Sequence, residues 1–484
     1  MKSKSNLTMP VVVVVLIVLL LIPALLGMEV THEEAEELGY ILPFWSCVPF
    51  VGMLLSIAII PLVRPHWWEK NLFKVAIAWS LIFLVPFALI IGPQYAGFEF
   101  VEMMVLDYLP FIVLLWGLFA VAGGLVLKGS LSGSPKVNVA LLLVGTLLAS
   151  WIGTTGASMV MIRPLLRANK WREKKAHSVI FFIFLVSNIG GSLTPIGDPP
   201  LFLGFLRGVP FFWTMRLFPL MALNVVILLL VYYLIDNRYY RKEIAAGRTP
   251  DTGEKEKIRI EGAHNLIFLL MIVGAVILSG VLQSVEVIAE MAVPLPYGLE
   301  LEMANVIQIA IILVAGLLSI KTTKKGLHEA NHFTWGPIQE VACLFTGIFL
   351  TMIPALAILN ARGGDLGLTQ NWQFFWASGA LSSFLDNAPT YLVFMTTAGS
   401  LGIDGLETAV GTIAPAMLIA ISAGAVFMGA NTYIGNAPNF MVRSIAEEND
   451  VKMPSFFGYM GWSGRFLIPL FIIDTVVFFL LMYR

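Results

Sequence analysis

The chain has 484 residues, of which 58% are hydrophobic and 13% charged, with a formal net charge of −1. An average globular chain is about 25% charged, so half of the usual solvated surface is missing and an ordinary soluble protein is excluded. The balanced charge gives no basic field for nucleic acid, and Cys47 and Cys343 lie in apolar stretches without metal-ligand spacing, which argues for packing rather than a disulfide framework or zinc site.

The first apolar run, Val11 to Ile22 and on through Leu26, follows Lys2 and Lys4 and reads as an uncleaved signal-anchor helix, with a cleaved signal peptide as the alternative. Its cationic start and the acidic segment after it (Glu29, Glu33, Glu34, Glu36, Glu37) place residues 29 to 38 outside. Cytoplasmic loops collect Lys and Arg, so each later crossing can be checked by charge. Residues 42 to 63 lead in to Arg64 and Lys70, 72 to 91 lead out to Glu99, Glu102 and Asp107, and 108 to 127 return to Lys128 and Lys136.

Residues 137 to 167 then run into a second basic loop, Lys170, Arg172, Lys174 and Lys175, although a single crossing cannot join two cytoplasmic loops. The stretch is too short for two spans of about 20 residues each, and its middle reads Gly153-Thr154-Thr155-Gly156, so a re-entrant hairpin is expected. Residues 177 to 206 cross outward and 211 to 236 return to a charged linker at 237 to 262. The second half runs outward over 263 to 282, inward over 304 to 320 and outward over 333 to 359. An interrupted run at 372 to 398 reads as a second hairpin, 412 to 442 returns, and 461 to 483 crosses last.

The expectation is an all-α polytopic membrane protein of about eleven transmembrane helices and two re-entrant hairpins. It divides into an N-terminal anchor and acidic loop at 1–39, a first repeat at 40–236, the cytoplasmic linker, and a second repeat of inverted topology at 263–484. A multi-pass protein of a bacterial-type inner (cytoplasmic) membrane is expected. Inverted repeats with interrupted helices in matching positions point to a secondary transporter with its site near the midplane. No G-x-x-x-x-G-K-[ST] sequence is present to supply a built-in ATPase, and no nucleophile with a nearby base suggests an enzyme or a cofactor.

Four broken segments carry the candidate chemistry. Ser187 to Pro200 contains three glycines and three prolines, which free backbone carbonyls that can coordinate a cation, and Asn431 to Asn439 repeats the device with amides and hydroxyls. Thr154 to Asp386 and Asp198 to Asn436 have similar offsets, 232 and 238 positions. Asp198 and Asp386 stand out, because a carboxylate at midplane depth costs a few kcal/mol unless it is paired, protonated or bound to a cation. Helix N-capping before Pro199 and Pro389 is the structural alternative for both.

A buried carboxylate can take a proton in one state and Na⁺ or Li⁺ in another, and that competition gives antiport. Asp198 and Asp386 are therefore the expected acceptors of Na⁺ or Li⁺ and of protons, with Asn188, Thr194, Asn387, Asn431 and Asn436 completing the oxygen shell and Thr154, Thr155 and Ser158 at the first hairpin tip. Those three small polar residues equally suit close helix packing. Arg163 could pair with an aspartate, receive an anion or reach the cytoplasm; Asp365 reads as exposed loop; the six histidines fall in loops or at span ends, with His177 and His264 as candidate pH sensors.

These hairpins and broken helices resemble the ion transporter superfamily of NhaD-type sodium/proton antiporters, arsenite permeases, citrate/metal symporters and divalent-anion/sodium symporters, over roughly residues 40 to 484. Trp151 to Ser158 and Leu385 to Thr390 look like the family's hairpin tips; Ser187 to Pro200 and Gly435 to Asn439 look like its unwound helices. Gly153-Thr154-Thr155 replaces the Ser-Asn-Thr typical of symporters, and Asp198 stands where antiporters carry an acid. The resemblance implies elevator movement against a scaffold that often dimerises. The alternative it leaves open is Na⁺- or H⁺-coupled transport of an organic anion such as citrate, or of arsenite.

Overall fold

The computed structural model describes residues 20–129, 131–249, 259–331 and 333–483. The expected helix over 11–19, linker residues 250–258 and His332 lie outside the described residues. Ten helices among the described residues are long and apolar enough to cross a membrane. After a short helix α1 (His32–Ile41) come α2 (Phe44–Pro61), α3 (Pro65–Ile90), α4 (Pro93–Gly123), α5 (Pro135–Ile152), α6 (Thr154–Ala168), α7 (Ala176–Leu193), α8 (Pro199–Leu206) and α9 (Phe211–Ala245). The second half has α10 (Asn265–Leu282), α11 (Met303–Thr322), α12 (Gly336–Leu366), α13 (Asn371–Ser382), α14 (Asn387–Gly399), α15 (Pro415–Asn431), α16 (Ala437–Glu448) and α17 (Phe456–Met482).

Nine of the long helices coincide with expected crossings, and the tenth is α5, the first arm of the anticipated hairpin. The expected crossing at 412 to 442 divides into α15 and α16, so length alone does not mark it. α9 runs nine residues past its expected end at 236, because nothing between Asp236 and Ala245 breaks a helix until Gly247 adopts φ +78°. The linker's far end is pinned by Arg259–Glu261, which pairs antiparallel with Val126–Lys128. There the Lys128 ammonium lies 2.8 Å from Glu261 and holds its carboxyl below the usual carboxylate range.

The breaks have local causes. Ser134 caps α5 by accepting from the Val137 N–H, with Pro135 at the first helical position; Gly153 at φ +77° then ends α5 and starts α6. Those two helices pack on each other, as do α13 with α15 and α13 with α14. Across the halves the contacts are reciprocal. α8, which follows the first break, packs on α14, the second arm of the other half's hairpin; α16, which follows the second break, packs on α6. All four half-helices therefore converge on one place.

Candidate functional site

At that convergence, α8 and α16 begin with the same short pattern, Thr194-x-Ile196-Gly197-Asp198-x-Pro200 and Thr432-x-Ile434-Gly435-Asn436-x-Pro438. The threonines form equivalent latches, Thr194 donating to the Ser150 carbonyl at the end of α5 and Thr432 (2.5 Å) to the Ser383 carbonyl at the end of α13. The glycines are equivalent too. A Cβ on Gly197 would strike the Gly191 carbonyl oxygen, and one on Gly435 the Gly429 carbonyl oxygen, both on backbone that cannot swing aside. Gly197→Ala is accordingly expected to lower stability by about 1–3 kcal/mol through overpacking, read as a lower thermal midpoint of the detergent-solubilised protein.

These latches aim Asp198 inward. It occupies the N-cap position of α8 yet makes no capping bond, and only 1% of it is exposed. Its Oδ1 accepts from the Thr154 hydroxyl at 2.8 Å and from Asn436 Nδ2 at 3.1 Å, and its Oδ2 accepts from Asn387 Nδ2 at 2.5 Å. Three neutral donors from α6, α14 and the start of α16 thus surround one carboxylate, and no cationic side chain among the described residues bonds it. Beyond them, Asn436 Nδ2 also reaches the Ser187 carbonyl (3.1 Å) and Asn188 Oδ1 (3.3 Å), Asn188 Nδ2 donates to Asn439 Oδ1 (2.7 Å), and Ser158 pairs with Ser187 (2.9 Å). The amide oxygen of Asn387 is buried with no partner, an acceptor beside the carboxylate.

Asp386 behaves differently. It is half-buried and caps α14, its Oδ1 accepting from the Ala388 N–H at 3.0 Å, so for this residue the capping alternative holds. It shares no donor with Asp198 but stands within electrostatic range of it. Thr194 serves as a latch rather than pointing at the carboxylate, Asn431 donates to the Ser383 hydroxyl at 2.9 Å with its Oδ1 unpartnered, and Thr155 is half-buried without a side-chain hydrogen bond. Of the sequence candidates, then, Asp198, Thr154, Asn387, Asn436 and Asn188 form one network with Ser158 at its margin. Ser187 and Asn439 complete it; both sit inside the broken segments, and their polarity was the available signal.

Outside this network Arg163 faces Glu448 and Arg167, Asp365 is exposed, and Cys47 and Cys343 are half-buried and free. His177 is not interfacial as expected. It is buried with Nε2 2.7 Å from Asp236 Oδ1, and Arg172 bonds the same oxygen while Asn138 donates to Oδ2 at 3.1 Å. Asp236 at the expected end of the span reaches the ring, and the α9 extension past it brings Tyr239 to stack on the imidazole with centroids 4.6 Å apart.

With this geometry in hand, residues 39–479 match the model of the CitMHS_2 family, described as "Putative citrate transport". The chain belongs to this family. No curated protein matches it. Membership in CitMHS_2 makes the chain a citrate transporter-like secondary transporter and an integral, multi-pass membrane protein, and the match spans both broken helices and the Asp198 network.

Proposed function

We propose that this transporter exchanges Na⁺ or Li⁺ for protons, with Asp198 as the shared acceptor. The observation that supports the reading is a buried carboxylate ringed by hydroxyl and amide groups with no cationic partner among the described residues. Such a group must be neutralised by a proton or a cation, and the Thr154 hydroxyl, the free Asn387 amide oxygen and Asn188 Oδ1 are hard oxygen ligands suited to a small alkali ion. Asp386, nearby and charged, adds attraction for a cation and repulsion for a carboxylate substrate.

On this reading the two halves form an inverted-topology repeat whose re-entrant hairpins carry the site between membrane faces as an elevator, in a bacterial-type inner membrane, on a scaffold that dimerises. The duplicated latches and the reciprocal α8–α14 and α6–α16 packing support the repeat. Proteoliposomes loaded with a pH-sensitive dye test it: added Na⁺ is expected to drive proton movement, and no Na⁺-dependent signal would sink the exchange reading.

The family match favours a second reading, Na⁺- or H⁺-coupled uptake of citrate or a related anion, arsenite included. Asp198 then binds the coupling cation and the N-termini of α8 and α16 receive the anion. Saturable uptake of labelled citrate that depends on Na⁺ or a proton gradient would select this reading over exchange.

A further inference from the structure

A second acid lies outside the Asp198 network. Asp474, in α17, is 0% exposed, inside a helix long and apolar enough to cross a membrane. Its described polar partner is Asn224 of α9, whose Nδ2 lies 2.9 Å from Oδ1 and 2.8 Å from Oδ2, a bond that ties the last helices of the two halves together across 250 residues. The same Nδ2 also donates to the Leu220 carbonyl at 2.8 Å, and the Asn224 Oδ1 is buried without a partner.

A comparison within the chain gives this its meaning. Asp236 of α9 and Asp474 of α17 are 238 positions apart, the same offset that relates Asp198 to Asn436 and Thr194 to Thr432. Asp236 is neutralised by Arg172 and faces His177. Asp474 has no such compensation. The neighbouring contacts are neutral: Thr475, next in the chain, accepts from the Trp376 indole N–H of α13 at 2.9 Å, and no charged side chain acts on the Asp474 carboxyl among the described residues.

One shared amide N–H cannot offset a full negative charge in a dry span, where an ionised carboxylate is costly unless it is paired, protonated or bound to a cation. A bound alkali cation is a poor remedy, because such an ion needs several oxygens and the group bonded to both carboxyl oxygens is an amide N–H donor. A proton needs no ligand shell: bound to one carboxyl oxygen it removes the charge and leaves the other oxygen to accept from Asn224 Nδ2. We propose that Asp474 and Asn224 form a proton-binding site, separate from Asp198, in which Asp474 is protonated at neutral pH in this conformation. The inference does not rest on the exchange reading, since it concerns a different acid and another observable.

Infrared difference spectroscopy of the full chain in lipid at neutral pH tests it. Asp474→Asn, isosteric and able to keep a bond to Asn224, is expected to remove one component of the carbonyl stretch of protonated carboxylic acids, while Asp198→Asn leaves that component in place. A loss from the ionised-carboxylate band instead, or no change in either band, would overturn the proposal. Should the variant not be recovered folded, native protein treated with dicyclohexylcarbodiimide, which attacks protonated acids, decides it by peptide mapping. An adduct on Asp474 that declines as pH rises supports the site; an unmodified Asp474 counts against it.

Discussion

Asp198→Asn is expected to reduce Na⁺-driven proton exchange by about a thousandfold. A unit charge about 4 Å from a monovalent cation contributes roughly 4 kcal/mol at an effective dielectric of 20, and each 1.4 kcal/mol is tenfold. The substitution keeps size and lets the neighbouring Thr154 and Asn436 still bond to the carbonyl oxygen, so a loss of folded protein is not expected. Two comparisons give the result its meaning. Asp386→Asn retains a good helix cap and removes a charge that lies near, rather than in, the network, so a smaller loss is expected. Asp365→Asn, at the exposed last turn of α12, should transport as wild type. The measurement is initial proton flux in dye-loaded proteoliposomes at matched protein content, and wild-type flux in Asp198→Asn would remove this carboxylate from the mechanism.

The second large effect is on stability. Asp236→Asn leaves the Arg172 guanidinium, itself fully buried with Nε and Nη2 already lacking partners, without its counter-charge. Breaking a buried ion pair from one side costs about 3–5 kcal/mol, because the remaining charge stays desolvated. The cluster joins α5 through Asn138, the α6–α7 connection through Asn169 and Arg172, and α7 through His177 and Ser178 to α9, so the loss should appear as a markedly lower thermal midpoint. Asp236→Asn combined with Arg172→Met removes both charges and is expected to recover much of that stability. If the single variant melts with wild type, the ion pair is not holding these helices together.

Much of the architecture was legible in residue order. Long apolar runs with few charges marked nine crossings, and Gly153, Asp198-Pro199 and Asp386-Asn387 marked where helices break and restart, because glycine torsions, caps and missing amide donors act locally. Asp198 was legible as the site's centre for the same reason that any acid in an apolar span is. What residue order does not carry is pairing at long separation. That Asn387 and Asn436 reach Asp198 across 189 and 238 residues follows only once the half-helices cross. Asp386 looked equivalent to Asp198 because the two share a local context of turn and proline; only their side-chain partners tell them apart.

Two acids escaped the reading. Asp236 marked the end of an expected span, where a charge is ordinary, and its burial depends on a further helical extension. Asp474 sits in the last crossing, whose average hydropathy masks a single carboxylate, although an acid inside a span is informative by itself. The Thr-x-Ile-Gly pattern shared by the two breaks was visible in the letters, but an identity of three residues gains weight only when both threonines are seen closing the same kind of bond.

The crossed packing of α8 on α14 and α16 on α6 also bears on ownership. Of the three groups that hold Asp198, Thr154 alone comes from its own half of the chain, while Asn387 and Asn436 are contributed by the other. The first half alone possesses the acid and a third of its cradle, and depends on the second half to finish it. Joining both in a single polypeptide makes their meeting obligatory, and separated halves are expected to leave Asp198 with one donor of its three.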